Sequence, residues 1–226
     1  TDKNNPSNNW FVQQENKIIA DTKAAYAKGM INIFSWHIRE PNKEDSFYTD
    51  DMTAQVKATA FKSILPGGIN NDWYKLKLDK VASVVSNLKD KNGVLIPVIF
   101  RPFHEFDGNW FWWGANYSTN EEYKTAFKFT VDYLKNTKGV HNILYAFSPD
   151  NSNTTSTGYL SRYPGDTYVD VLAMDNYGDL NNQGQAGADK ANDKLKIVSD
   201  LAKTKVKIAA LSETGYRVTS TNPAVA

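Results

Sequence analysis

Glu105 and Glu213 each lie just past an apolar, β-branched run: Val94-Leu95-Ile96-Pro97-Val98-Ile99-Phe100 before the first, Val206 to Leu211 before the second. A carboxylate at the end of a buried strand faces a cleft when several such strands converge, so two that are distant in sequence can flank one bond. Glycoside hydrolysis needs two such groups. One, protonated, donates to the leaving oxygen, and the other, ionised, attacks the anomeric carbon or activates water. The bland alternative is that each Glu is a surface ion-pair member, and the strand-end contexts set these two apart from that ordinary fate.

The residues beside Glu105 suit a sugar. A pyranose offers an apolar C–H face and a rim of hydroxyls, so it packs on indole rings and is oriented by polar side chains. Phe103-His104-Glu105-Phe106-Asp107-Gly108-Asn109-Trp110-Phe111-Trp112-Trp113-Gly114 supplies both kinds of group. Gly108-Asn109 reads as a turn, which places Trp110 in a loop above the strand end as a stacking platform. Trp112 and Trp113 compete with a core reading. His104 and His37 are placed to hold carboxylates or sugar hydroxyls, or to be satisfied structural histidines. His141 opens a strand at the opposite end and has no assigned function.

The elements that must position these groups alternate between helix and strand. A helix from Gln13 to Lys28 stops at Gly29 and leads into Ile31 to Trp36. A second from Asp72 to Lys91 precedes the Val94 run. Thr119 with Glu122 forms a capping box for a third, closing at Gly139 before Asn142 to Phe147. Val169 to Met174 is a further strand, and a helix from about Asp189 to Lys203 precedes the strand at Val206. Continuous apolar strands joined by helical crossovers imply a parallel α/β sheet covered on both faces. No glycine-rich phosphate loop is present, whereas chemically capable residues close every apolar run, the habit of a (β/α)₈ barrel. Five strands are legible, so the expectation is one catalytic barrel domain over residues 1–226 that is incomplete, without its first strands and its last.

Composition narrows the chemistry. The chain has 226 residues, with Lys+Arg 26 against Asp+Glu 25, a net charge of +1 that disfavours nucleic acid as a partner. With no Cys and three His, thiolate chemistry is excluded and a metal site has little material, so neither metal nor cofactor is expected. No apolar run reaches the roughly 18 residues of a membrane span, and the polar start Thr1 to Pro6 is no signal peptide.

Arg101-Pro102-Phe103-His104-Glu105-Phe106-Asp107-Gly108-Asn109-Trp110-Phe111-Trp112-Trp113-Gly114 resembles the acid/base motif of glycoside hydrolase family 26, the β-mannanase family. Ser35-Trp36-His37 with Pro41, Phe147-Ser148-Pro149-Asp150, Tyr163-Pro164-Gly165-Asp166, Asp175-Asn176-Tyr177 and Ser212-Glu213-Thr214-Gly215 resemble further family blocks in family order. The resemblance implies a (β/α)₈ fold and retaining hydrolysis of internal β-1,4 bonds in mannan, glucomannan or galactomannan. It makes Glu105 the general acid/base and Glu213 the nucleophile. It makes Trp36, His37, Arg101, His104, Trp110, Asp175 and Tyr177 the substrate-binding set, and implies a secreted or cell-surface enzyme, expected here as a monomer. Alternatives are a mixed-linkage β-glucanase, a β-1,3-xylanase, or a glycan-binding protein without catalysis.

Overall fold

Five runs become five parallel strands hydrogen-bonded in chain order: β1 Asn32–Ser35, β2 Val98–Arg101, β3 Ile143–Phe147, β4 Val171–Asn176 and β5 Ile208–Thr214. The computed structural model describes residues 10–181 and 183–215; the segments Thr1 to Pro6 and Asn222 to Ala226 lie outside them. Helix α1 Trp10–Ala27 precedes β1, and α2 Ala54–Ser63, α3 Asn71–Ser86, α4 Asn120–Asp132, the single turn α5 Ser156–Tyr159 and α6 Gly184–Lys205 lie in the crossovers. Among the described helices none is long and apolar enough to cross a membrane.

Side chains alternate across each strand, and this divides the core in two. Val98, Phe100, Ile143, Tyr145, Phe147, Leu172 and Met174 face the helices and join Tyr74, Leu78, Tyr123 and Phe127 in the main core. Ala146, Val171 and Ala173, with Ile99 and Ala210 against them, form a thin layer on the other face. These are the outer and inner layers of a curled sheet, the arrangement of the (β/α)₈ fold.

Local chemistry fixes the element ends. The capping box at α4 forms as expected: Thr119 Oγ1 accepts from the Glu122 N–H at 3.1 Å, and Glu122 Oε2 accepts from the Thr119 N–H at 2.8 Å. Gly29 ends the first helix at φ 81. Several boundaries differ from the sequence expectation. The strand expected from Val94 begins at Val98, because Pro97 has no N–H to give a ladder, and Val94 and Leu95 are exposed. The second helix ends at Ser86 rather than Lys91, where Asp90 turns the chain by accepting from the N–H groups of Asn92 and Val94. Val206 is the left-handed cap of α6 at φ 54, so the last strand starts later and carries Ser212 and Glu213 within it. α2, capped by Thr53, is an element without a counterpart among the expected ones.

Candidate active site

Above the inner layer of small residues, the next inward positions are Arg101 on β2, Ser148 just beyond β3, Asp175 on β4 and Ser212 on β5. The β4–β5 ladder slips there: Met174 pairs with Leu211, but Asp175 pairs with Glu213. Ser212 is thus the extra residue of a β-bulge. A bulge re-aims side chains, and here two consecutive residues, Ser212 and Glu213, both reach Asp175 or its partners.

Arg101 is 2% exposed and organises the cluster. Its Nη1 donates to Glu213 Oε1 at 2.8 Å, and its Nη2 donates to Asp175 Oδ2. Tyr177 Oη donates to the second oxygen of Glu213 at 3.1 Å. On the far side of Asp175, Oδ1 accepts from Ser212 Oγ at 2.6 Å and from Ser148 Oγ at 3.1 Å.

Glu105 arrives on a strained turn. Phe103 and Glu105 have φ 53 and φ 52, left-handed values that cost about 1–3 kcal/mol each in a residue with a side chain. Three contacts hold the turn: Glu105 N–H to the Ser148 carbonyl at 2.8 Å, Tyr123 Oη to the Phe103 carbonyl at 3.2 Å, and Trp113 Nε1 to the His104 carbonyl at 2.7 Å. The outcome brings one carboxylate oxygen each of Glu105, Asp175 and Glu213 within 4.8 Å of one another. Arg101 already sets its guanidinium between Asp175 and Glu213, so the positive charge a cation would bring is supplied by the chain.

Trp110 lies over the acid. Its Nε1 donates to Glu105 Oε2 at 2.8 Å while the ring is 39% exposed. Gly108 permits this, because a Cβ there would stand 2.3 Å from the indole. Thr49 holds the same loop from the far side, its N–H donating to the Trp110 carbonyl and its Oγ1 to the Asn109 carbonyl, both at 2.8 Å. Thr49 is fixed in turn by the segment after β1, where buried Glu44 accepts from Trp73 Nε1 and from Lys77 Nζ on α3, both at 2.7 Å.

Electrostatics separate the two glutamates. Burial pushes the Glu105 carboxyl up to about 7, the Trp110 N–H opposes this, and the charges of Asp175, Asp150 and Glu213 add to it. Glu213 instead carries the Arg101 ion pair. His104, packed edge-on to His37 at 4.7 Å between ring centroids, is pushed down to about 2 by burial and by the charges of Arg101 and His37. Burial also lowers His37, against the pull of Glu213. Both rings are therefore neutral imidazoles near pH 7, able to donate and accept toward a hydroxyl.

Of the residues singled out from sequence, Glu105, Glu213, Arg101, His104, His37, Asp175, Tyr177 and Trp110 are thus gathered at one strand-end cluster. Trp36 is the exception. Alternation sends it to the helix side with Phe34, where it stacks on Tyr74 at 6.1 Å and tilts against Phe100 at 5.8 Å. Trp112 and Trp113 are fully buried, as their core reading has it. Sequence reasoning gave no role to Ser148, Ser212, Thr49 or Phe111, whose ring lies 5.3 Å from each histidine. The two serines could have been found by their position, Ser212 directly before Glu213 and Ser148 at the end of β3, two residues before Asp150.

The model of glycosyl hydrolase family 26 matches residues 9–218. The chain belongs to that family. A mannan endo-1,4-beta-mannosidase of Bifidobacterium adolescentis is 41% identical over 194 residues, covering 84% of the chain and 19% of that protein. Among solved structures, family 26 protein GH26C of Muricauda sp. MAR_2010_75 is 57% identical with a TM-score of 0.91, covering 99% of the chain and 60% of its own. An endo-beta-1,4-mannanase double mutant of Cellulomonas fimi is 32% identical with a TM-score of 0.85, covering 98% of the chain and 48% of its own. The chain therefore spans less than two thirds of the length of each of these relatives.

Proposed function

We propose that this family 26 chain carries the catalytic centre of a retaining endo-β-1,4-mannanase, acting as a single catalytic domain. The observation that carries the reading is the approach of the Glu105 and Glu213 carboxylates to within 4.8 Å. So close an approach of one oxygen from each accords with the about 5–5.5 Å carboxyl separation of double displacement rather than the about 6.5–9.5 Å of inverting enzymes. Glu213, ion-paired with Arg101, attacks the anomeric carbon. Glu105, with its carboxyl at about 7, donates its proton to the leaving sugar and then, as a carboxylate, takes one from the water that cleaves the glycosyl-enzyme. Arg101 and Tyr177 aim the nucleophile, His37 and His104 hold hydroxyls of the attacked sugar, and the exposed face of Trp110 stacks its neighbour.

A β-mannan is a polymer too large to enter a cell, so the reading includes an extracellular or surface location, with the chain working as a monomer. The test is incubation of the protein with mannan, glucomannan, galactomannan, mixed-linkage β-glucan and β-1,3-xylan, followed by product analysis and proton NMR of the first anomer released. Mixed manno-oligosaccharides released first as the β-anomer are the expected result. Release from glucan or xylan alone reassigns the substrate, release of the α-anomer removes double displacement, and retention on a mannan gel without new reducing ends turns the protein into a binding module.

A further inference from the structure

Asp175 is 0% exposed, yet it is the counter-charge that shares Arg101 with Glu213. A fully buried carboxylate needs its oxygens satisfied to stay ionised. Arg101 serves Oδ2, and Oδ1 is left to two hydroxyls, Ser212 Oγ at 2.6 Å and Ser148 Oγ at 3.1 Å, themselves 2.9 Å apart. Three contacts share two hydroxyl protons. Both serines can donate to Asp175, or Ser148 can donate to Ser212, which donates onward. In either arrangement the shorter bond from Ser212 is kept; Ser212 faces inward by the alternation that runs from Ala210, and the β5 bulge turns the next residue, Glu213, to the same side.

We propose that Ser212, with Ser148 behind it, is a positioning residue for the reaction, holding Asp175 as a carboxylate under Arg101 so that the guanidinium stays shared and Glu213 stays aimed. The proposal rests on Glu213 being the nucleophile. If Asp175 takes up a proton, it stops competing for Arg101. The guanidinium then pairs with Glu213 alone, stabilising the anion that must attack and drawing it toward β2. The groups facing Asp175 are Arg101 from β2, Glu105 from the turn after it, Ser148 and Tyr159 from beyond β3, Tyr177 from just past β4, and Glu213 with Ser212 from β5. Of these the anions Glu105 and Glu213 favour protonation, and only Arg101 and the two hydroxyls oppose it. Burial already pushes Asp175 up to about 6, so the hydroxyls act close to the working pH.

The experiment compares Ser212→Ala, Ser148→Ala and Ser212→Thr in the full protein by the pH profile of kcat/KM on the polysaccharide it cleaves and by carboxyl carbon-13 NMR titration of Asp175. Losing a hydroxyl donor to a buried anion is expected to lower kcat about ten-fold in Ser212→Ala at pH 6 with little change in KM, and less in Ser148→Ala. The acid limb of the profile and the Asp175 midpoint are expected to move up together, and Ser212→Thr, which keeps the hydroxyl, restores both. An unmoved Asp175 midpoint in Ser212→Ala overturns the proposal, as does equal loss in the Ala and Thr variants, which would indicate packing at the bulge. The NMR titration needs no turnover, so it still decides the serine role if no polysaccharide tested is cleaved, whereas that failure by itself counts only against the mannanase reading.

Discussion

Arg101 Nη1 stands 2.8 Å from Glu213 Oε1, while Nη2 of the same guanidinium is bound to Asp175. The proposed nucleophile is thus aimed by a fork, and its other tine ends in a fully buried acid. A lysine ammonium is a point charge that cannot span both partners in that geometry. Arg101→Lys should lower kcat about ten- to a hundred-fold while leaving a folded protein, since one charge-assisted bond is lost. Arg101→Ala leaves Asp175 buried without a cation and should cost about 3–5 kcal/mol of stability. Urea unfolding at neutral pH measures this, and a loss under about 1 kcal/mol would show that Asp175 is not ionised there.

On the proposed mechanism Glu105 protonates the leaving group, so its removal should matter in proportion to how much help that group needs. Glu105→Ala is expected to slow cleavage of mannan by about 10²–10⁴-fold, the usual reach of general acid catalysis, while an activated aryl mannoside is slowed far less in the glycosylation step. Glu213→Ala is expected to abolish turnover of both. Equal slowing of both substrates by Glu105→Ala would remove Glu105 from the acid role. Activity surviving in Glu213→Ala would direct attention to Asp175 or Asp150.

The proton on Glu105 sets the alkaline side of the profile. With its carboxyl at about 7, kcat/KM should fall as pH rises through neutrality, because the deprotonated form cannot donate. The Trp110 N–H stabilises the carboxylate at 2.8 Å. Replacing it by Trp110→Phe keeps an aromatic face and deletes the donor, so the alkaline limb should move to higher pH. A limb that stays in place or moves down would mean that the indole bond is not made in the free enzyme.

Much of this site is legible from sequence because strand ends carry it, and strands buried on both faces declare themselves as unbroken apolar runs. Facing is harder. Trp36 and His37 adjoin in the sequence, but neighbouring residues leave a strand on opposite sides, and the ring contacts with Tyr74 and Phe100 put the tryptophan among the helices. The bulge at Ser212 is invisible in the one-dimensional pattern, since an inserted residue changes parity without changing composition. Val206 reads as strand by propensity, but the helix end forces it into the left-handed region, which shifted the expected strand toward its N-terminus. α2 is hard to read from sequence because Val56, Ala60 and Phe61 are diluted by Lys, Gln and Thr, although Thr53 accepting from the Val56 N–H is an ordinary cap.

The arrangement that makes Glu105 an acid should also weaken the fold as it ionises. Its carboxyl lies at about 7 in the folded chain against an ordinary 4.5, so between those values the folded state holds a proton that the unfolded chain has released. Stability linked to this group is therefore full below about pH 4.5 and declines as pH rises through about 7. Glu105→Gln keeps the shape and removes the titration, and on the proposed mechanism it slows mannan cleavage much as Glu105→Ala does. Its Tm is expected to match the wild type at about pH 4.5 and to exceed it at about pH 8, with the gap opening across that interval. Scanning calorimetry of both proteins across the range decides the matter. A gap that is constant with pH would place its origin in packing, and one that closes as pH rises would mean that the Glu105 carboxylate is stabilised in the fold, contrary to its burial beside Asp175 and Glu213.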